Sequence, residues 1–172
     1  MTIFVSGLSR VADMISLHAP TRVVSLLDPD SAFPELGPAY AGRHLRLRFH
    51  DAHAGGDGLV MPRPEDIARL IGFIEAGEPL DPILIHCRAG IGRSTAAGFV
   101  AACLRNPSVS EHELAVTLRR VAPFARPNEE VIRLADAVMG RDGRMSEAIR
   151  STGRGLSWID TGEPHPFQLP SR

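Results

Sequence analysis

A strand, a glycine-containing loop and a helix follow one another in the middle of the chain. Residues 83–86 form a short, apolar, β-branched run, which predicts a buried strand. Two glycines interrupt the next segment, and the alanine-rich stretch 94–104 is typical of a buried helix. A strand that leads directly into a helix is half of a βαβ unit, so this segment constrains the chain toward an α/β fold.

The same alternation of apolar strands and amphipathic helices extends over most of the chain. It predicts an α/β domain with a mostly parallel central sheet flanked by helices. The predicted strands are 3–5, 22–27 and 44–49, and the predicted helices are 8–17, 64–76 and two that follow Ser110 and Asn128. Residues 29–43 are rich in Pro and Gly and predict an irregular connection. We expect one catalytic domain over 1–153 and an extended C-terminal tail over 154–172.

Length and charge exclude several classes of protein. A chain of 172 residues has room for one ordinary domain. Its net charge of -1 gives no overall attraction to nucleic acid or to an anionic membrane. Two cysteines are too few for a disulfide framework, and no run approaches the ~18 apolar residues of a membrane span. The start of the chain does not resemble a signal peptide, so we expect a cytoplasmic protein.

The central loop has the composition of an anion site. Cys87 stands at its head and Arg93 at its end, where the next helix begins. Glycines within the loop let successive N–H groups turn toward one point, and the helix N-terminus adds further donors. The arginine fork grips two oxygens of a phosphate. We therefore expect the phosphate to be bound by Arg88, Ala89, Gly90, Ile91, Gly92 and Arg93, with no metal and no cofactor.

The residues around Cys87 fit a nucleophile. The donors that bind an anion also stabilise a thiolate, the reactive form of cysteine. The Ser94 hydroxyl is placed to donate to the sulfur and ease its departure from phosphorus. His86 precedes the nucleophile at the end of a strand and is expected to orient the loop.

Residues 86–94 read His-Cys-x-x-Gly-x-x-Arg-Ser, which resembles the signature of the protein tyrosine and dual-specificity phosphatases. The resemblance implies that Cys87 is the nucleophile, that Arg93 clamps the phosphate and that Ser94 assists hydrolysis. It also implies a phosphocysteine intermediate and phosphorylated proteins or small phosphomonoesters as substrates.

Three positions outside the loop extend the resemblance. In that family an Asp general acid follows an upstream strand, which here implies Asp51. The short dual-specificity and bacterial members carry Pro-Asn at the start of a later helix, matched by Pro127 and Asn128. The Trp-Pro-Asp loop of the larger tyrosine-specific domains is absent, since the single Trp is Trp158. The chain therefore resembles the short members, and its substrate range stays open.

Several alternatives remain at this point. Asp57 competes with Asp51 as the general acid, and Asn128 could be only a helix cap. Zinc could be bound by His50, Asp51, His53 and His86, although three or four ligands would have to converge. Exposed arginines, namely Arg46, Arg48, Arg88 and Arg126, are either rim charges that recruit an acidic substrate or ordinary solvated side chains.

Two further function classes share this fold. A catalytically silent module would read phosphorylated partners, but such a protein is expected to lose the Cys, the Arg or the acid. A lipid or small-molecule phosphatase would use the same chemistry. Lipid-directed members tend to carry Lys in the loop, and all 19 basic residues here are Arg.

Overall fold

The computed structural model describes residues 2–52, 54–78, 80–157, 160 and 162–171. A five-stranded sheet lies at the centre, with the strand order β3-β2-β4-β1-β5. Its strands are β1 (Thr2–Gly7), β2 (Arg22–Leu27), β3 (His44–Arg48), β4 (Ile83–Cys87) and β5 (Phe167–Pro170). The first four strands are parallel, and β5 runs antiparallel to β1 at one edge. The predicted α/β fold with a mostly parallel sheet is confirmed.

Six α-helices lie within the described residues. They are α1 (Val11–His18), α2 (Pro64–Glu75), α3 (Arg93–Arg105), α4 (Glu111–Val121), α5 (Glu129–Val138) and α6 (Arg144–Ser151). Helix α1 covers one face of the sheet with a small apolar cluster, and the larger core lies with the other helices. No helix in the described part of the chain is long and apolar enough to cross a membrane.

The middle of the sheet fixes where the central loop begins. All five residues of β4 are buried, between β1 and β2. Cys87 is level with Gly7 of β1 and Leu26 of β2. The loop therefore leaves the sheet at the shared carboxyl edge of the parallel strands, where α/β folds bind ligands.

Helix α3 packs closely against the sheet because its buried residues are small. Ala96, Ala97 and Ala101 are fully buried. A Cβ added at Gly98 would lie 2.8 Å from Val5 Cγ2 of β1, which shows how near the helix and the strand are. This packing fixes the position of α3, whose first residue, Arg93, ends the loop.

Two elements were not predicted from the sequence. Helix α6 is short and mostly polar: it buries Met145 and Ala148 and packs the half-buried Ile149 against the core. Its first turn is held from outside, since Gly143 N and Ser146 N both donate to the Asp136 carboxylate. The other element is β5, which lies inside the predicted tail 154–172.

The edge strand β5 alternates buried and exposed side chains. Phe167 and Leu169 are buried, whereas Gln168 is exposed. Flanking prolines masked this short alternation in the sequence. Trp158 lies outside the described residues, and the domain boundary at 153 stays a prediction.

Candidate active site

The sulfur of Cys87 lies at the base of the loop between β4 and α3. Ser94 Oγ is 3.1 Å from Cys87 Sγ, and Gly90 N donates to the same sulfur at 3.3 Å. Both groups can donate a hydrogen bond to a thiolate. The structure thus brings the predicted nucleophile and the predicted assisting hydroxyl together.

The glycines of the loop are required by its close approach to neighbouring groups. Gly90 has a φ of +79°, and a Cβ there would lie 2.8 Å from Gly7 N at the end of β1. The loop is tied to the same place by Leu8 N, which donates to Arg88 O at 3.1 Å. A Cβ at Gly92 would overlap the carboxylate of Asp51. The loop therefore holds one shape that larger residues would disturb.

Arg93 is buried, and its guanidinium is fixed from the side of the sheet. Its Nη1 donates to Asp28 Oδ1 at 3.0 Å and to Phe49 O at 2.6 Å. Its buried Nε donates to no described residue and lies 4.0 Å from Asp51 Oδ2. A buried donor without a partner is costly. An anion in the loop would satisfy it.

Asp51 lies beside Arg93 and is held by Asn128. Asn128 Nδ2 donates to Asp51 Oδ1 at 2.8 Å and to Ala52 O at 3.1 Å. Asn128 Oδ1 accepts from Val131 N at 3.1 Å and so caps α5. Asn128 therefore caps a helix and also positions a carboxylate. Asp51 is 36% exposed, which leaves it accessible to a substrate.

The competing carboxylate is placed differently. Asp57 is exposed and makes no hydrogen bond or ion pair with a described residue. Nothing in this part of the chain aims it at Cys87. The contacts of Asp51 with Asn128 and Arg93 favour Asp51 as the acid.

His86 belongs to a chain of three side chains that joins three strands. Ser25 Oγ lies 2.5 Å from His86 Nε2 and 2.7 Å from His44 Nε2. Arg46 Nε donates to His44 Nδ1 at 3.3 Å, so the proton of neutral His44 is on Nε2. That proton is donated to Ser25, and Ser25 donates to His86 Nε2.

Burial keeps these two imidazoles neutral. Desolvation lowers the pKa of His86 to about 4. Desolvation, with the nearby charge of Arg46, lowers the pKa of His44 to about 4 as well. His86 is therefore neutral at neutral pH and bonded to Ser25, and its expected role in orienting the loop stays a prediction.

The remaining candidates lie at the rim or away from the loop. Arg88, Ala89 and Arg126 are exposed, and Ile91 is half-buried. Arg46 and Arg48 stack on the ring of Phe33, 5.8 and 4.4 Å from its centroid. These two arginines form a separate basic surface rather than part of the loop.

The alternative zinc ligands are not brought together among the described residues. His50 Nδ1 accepts from Val60 N at 2.9 Å, and His86 is bonded to Ser25. His53 lies outside the described residues. Within the described part of the chain, no three His, Cys, Asp or Glu side chains cluster as metal ligands.

Sequence reasoning missed three residues that support the loop. Asp28 holds Arg93, Ser25 links the two histidines, and Thr95 Oγ1 donates to Ile91 O at 2.5 Å and to Gly92 O at 2.8 Å. Asp28 directly follows β2, which ends at Leu27. Its position at the carboxyl end of a strand next to β4 was the available signal.

A Cys-x5-Arg loop thus lies at this sheet edge, with a carboxylate beside the arginine. Comparison with solved structures finds the same fold in phosphatases. The Yvh1 phosphatase domain from Chaetomium thermophilum is 19% identical, with a TM-score of 0.57, over 83% of this chain and 93% of that one. Human DUSP28 is 17% identical, with a TM-score of 0.57, over 88% and 95%.

A third similar structure is named as a phosphatase-like interacting protein rather than as a phosphatase. The human tyrosine phosphatase-like serine/threonine/tyrosine-interacting protein is 15% identical, with a TM-score of 0.60, over 81% of this chain and 92% of that one. No protein-family model matches the sequence, and no curated protein matches it. The chain therefore has the fold of the dual-specificity and tyrosine phosphatases. The resemblance drawn from the signature is confirmed at the level of the fold.

Proposed function

We propose that this chain is a protein tyrosine or dual-specificity phosphatase that hydrolyses phosphomonoesters through a phosphocysteine, without a metal. One observation carries the proposal. Gly90 N donates to the sulfur of Cys87 and Ser94 Oγ lies 3.1 Å from it, at the base of a loop that ends in buried Arg93. A phosphate in this loop would meet a nucleophile together with the Nε of Arg93, which donates a hydrogen bond to no described residue.

In the first step the Cys87 thiolate attacks phosphorus and forms an S–P bond. The bond from phosphorus to the leaving oxygen breaks, and Asp51 gives that oxygen its proton. Arg93 and the loop amides bind the equatorial oxygens, where charge collects in the transition state. Asn128 positions Asp51 for this transfer by donating to Oδ1.

In the second step water attacks the phosphocysteine. The Asp51 carboxylate takes a proton from the water, the S–P bond breaks and inorganic phosphate leaves. The Ser94 hydroxyl, 3.1 Å from the sulfur, donates to the departing thiolate. The enzyme returns to its starting protonation, so the cycle balances.

The proposed partners are phosphorylated proteins, and a cytoplasmic location stays a prediction. The silent-module alternative draws support from the name of one structural neighbour, a phosphatase-like interacting protein. Against it, Cys87, Arg93 and Asp51 are all present, and Arg93 Nε lies 4.0 Å from Asp51 Oδ2. Turnover of an aryl phosphate separates the two functions directly.

The test compares Cys87→Ser with Cys103→Ser on p-nitrophenyl phosphate. We expect Cys87→Ser to abolish turnover and to retain phosphate binding, because Arg93 and the loop amides remain. Cys103→Ser should keep wild-type turnover, since Cys103 is buried in α3 away from the loop. Turnover that persists in Cys87→Ser would refute the proposal.

A second arm addresses metal chemistry. Chelator should leave turnover intact, and orthovanadate should inhibit by binding in the loop as a pentacoordinate mimic of the transferred phosphoryl group. Complete loss on chelation with recovery on added zinc would favour the metal alternative instead.

A further inference from the structure

Strand β3 lies at one edge of the sheet, and its outer side is open. It pairs with β2 alone among the described strands. Arg43 O accepts a hydrogen bond from β2 at one end of this pair, and Phe49 N donates to β2 at the other end. Because alternate residues of a strand turn their peptide groups to opposite sides, the odd-numbered residues of β3 bond to β2. The peptide groups that face the open edge are those of His44, Arg46 and Arg48.

The same outer edge is occupied just beyond β3. His50 is the next even-numbered residue, and its N–H donates to Val60 O at 2.8 Å. Val60 N returns a bond to His50 Nδ1 at 2.9 Å. Before that point, no described residue bonds to the backbone N–H or C=O of His44, Arg46 or Arg48. Unpaired backbone groups at a sheet edge form a template for another strand, so β3 offers a row of pairing positions.

A cavity of about 400 Å³ follows this edge. Leu45 and Leu47 of β3 pack into the main core together with the buried side of α2. Arg46 and Arg48 lie on the opposite face of the sheet, because side chains alternate along a strand. The cavity nevertheless reaches side chains of α2 as well as these two arginines, so it passes around the outer side of β3. Its lining residues are Phe33, Arg46, Arg48, Arg63, Asp66 and Arg69.

The cavity carries an excess of positive charge. Its one acidic side chain, Asp66, is used at the start of α2, since Asp66 Oδ2 accepts from Arg63 N at 3.1 Å and lies 3.5 Å from Arg63 Nε. Arg46, Arg48 and Arg69 are exposed and form no ion pair within the described residues. The whole chain has a net charge of -1, so this concentration of charge is local.

The ring of Phe33 holds two of these guanidinium groups against the edge. Arg48 lies 4.4 Å and Arg46 lies 5.8 Å from the ring centroid. Arg48 Nη1 also donates to Ser31 O at 2.9 Å. Charged side chains on an edge strand discourage pairing with unrelated strands. Here the charges have one sign and are partly fixed, so they repel basic segments and attract acidic ones.

We propose that the free edge of β3 is a docking site for an acidic, extended segment of a partner protein, which adds to the sheet as a further strand. Backbone bonds to His44, Arg46 and Arg48 hold the segment, and its carboxylates meet the arginines of the cavity. A second copy of this chain fits poorly, because pairing two β3 edges brings like charges together. A nucleic acid supplies negative charge but has no peptide groups with which to continue the sheet.

Peptide binding tests this edge apart from the proposed function, because it requires neither Cys87 nor a phosphate. The probe is a short, fluorescein-labelled peptide of alternating Glu and Val, and the same peptide with Lys in place of Glu is the charge control. We expect only the acidic peptide to bind. Two N-methylated versions, one methylated at every Glu and one at every Val, each remove the backbone donors on one side of the added strand. One version should bind about tenfold more weakly, and the other should keep the parent affinity.

Amide exchange measured by NMR locates the bound peptide. In the free protein the backbone N–H groups of Arg46 and Arg48 should exchange rapidly, and bound peptide should slow both about tenfold or more. The N–H groups of Leu45 and Leu47 are the control, because they face β2 and should exchange slowly with or without peptide.

Variants then test the charges. Arg46→Ala combined with Arg69→Ala should weaken peptide binding about tenfold. Arg69→Ala alone should weaken it about threefold, and this variant leaves the bond from Arg46 to His44 intact. The control combines Arg120→Ala with Arg154→Ala, two exposed arginines outside the cavity, and should bind like wild type. Thermal melting confirms that each variant is folded.

Three results would overturn the docking site. The first is N-methylation that affects both peptides alike, because charge alone would then explain any binding. The second is unchanged exchange at Arg46 and Arg48 when the acidic peptide is present in excess. The third is sedimentation that finds a dimer from which the peptide is excluded, because the edge would then belong to a second copy. Absence of hydrolysis by the wild-type protein would count against the proposed function alone.

Discussion

Acid should destabilise this protein through His86. The imidazole of His86 is buried, and its Nε2 accepts a hydrogen bond from Ser25. Protonation of Nε2 would remove the acceptor of this bond and would leave a positive charge buried. Its pKa falls from 6.5 to about 4 on folding. The unfolded chain therefore binds this proton more tightly. Stability is fully present above about pH 6.5, declines as the pH falls toward 4, and changes no further below it.

The size of the effect follows from the two pKa values. A difference between 6.5 and about 4, at about 1.4 kcal/mol per pH unit, gives a loss of about 3 kcal/mol in the free energy of unfolding. A typical domain has about 5–15 kcal/mol in total. Protonation of His86 would therefore reduce the stability of the protein measurably. It would also loosen the loop at Cys87, because His86 would no longer hold its hydrogen bond to Ser25.

Urea unfolding at about pH 7.5 and about pH 4.5 measures this loss. We expect His86→Gln to be less stable at neutral pH and to lose about 2–3 kcal/mol less than wild type on acidification. Val24→Ala, a buried change on the neighbouring strand β2, controls for lower stability without a titrating group. If His86→Gln loses as much free energy between the two pH values as wild type, the reasoning is refuted.

Three further predictions concern the loop and its carboxylates. Burial raises the pKa of Cys103 to about 12. Peroxide or iodoacetamide should therefore modify Cys87 first, and bound phosphate should protect Cys87. Mass spectrometry that finds Cys103 modified first would contradict this prediction. Asp51→Asn should lower kcat about 10²–10⁴-fold on phosphotyrosine and less on p-nitrophenyl phosphate, whose leaving group needs no proton; if Asp57→Asn shows that pattern instead, the acid is Asp57. Asp28→Asn should raise KM and lower kcat/KM about tenfold, because Arg93 loses a charge-assisted bond of about 1.5–3 kcal/mol. If kcat/KM stays at the wild-type value, Asp28 does not position Arg93.

The parts of the fold that the sequence predicted are those with a strong local signal. Ile83–Cys87 is apolar throughout, and α5 begins at an Asn that caps it, so both were expected near their observed positions. Helix α6 was not expected, because its start is held by Asp136, a residue of another helix. The segment itself is short and mostly polar, so its three apolar positions, Met145, Ala148 and Ile149, did not by themselves predict a helix.

The candidate site divides in the same way. Cys87, Arg93 and Ser94 lie within one short motif, and the structure brings Cys87 and Ser94 together. Asp28 and Ser25 act across the sheet, where the register of three parallel strands decides what meets Arg93 and His86. That register depends on the whole packed sheet, so no single segment of sequence could reveal it.

The central claim is that phosphate passes through a covalent bond to Cys87. Ser94→Ala should slow the departure of sulfur from the intermediate, so that it accumulates during turnover of p-nitrophenyl phosphate. We expect acid quenching and mass spectrometry of this variant to find one phosphoryl group on the peptide that contains Cys87. An active variant in which no phosphoryl group is ever found there, or in which it is found on another residue, would contradict the account.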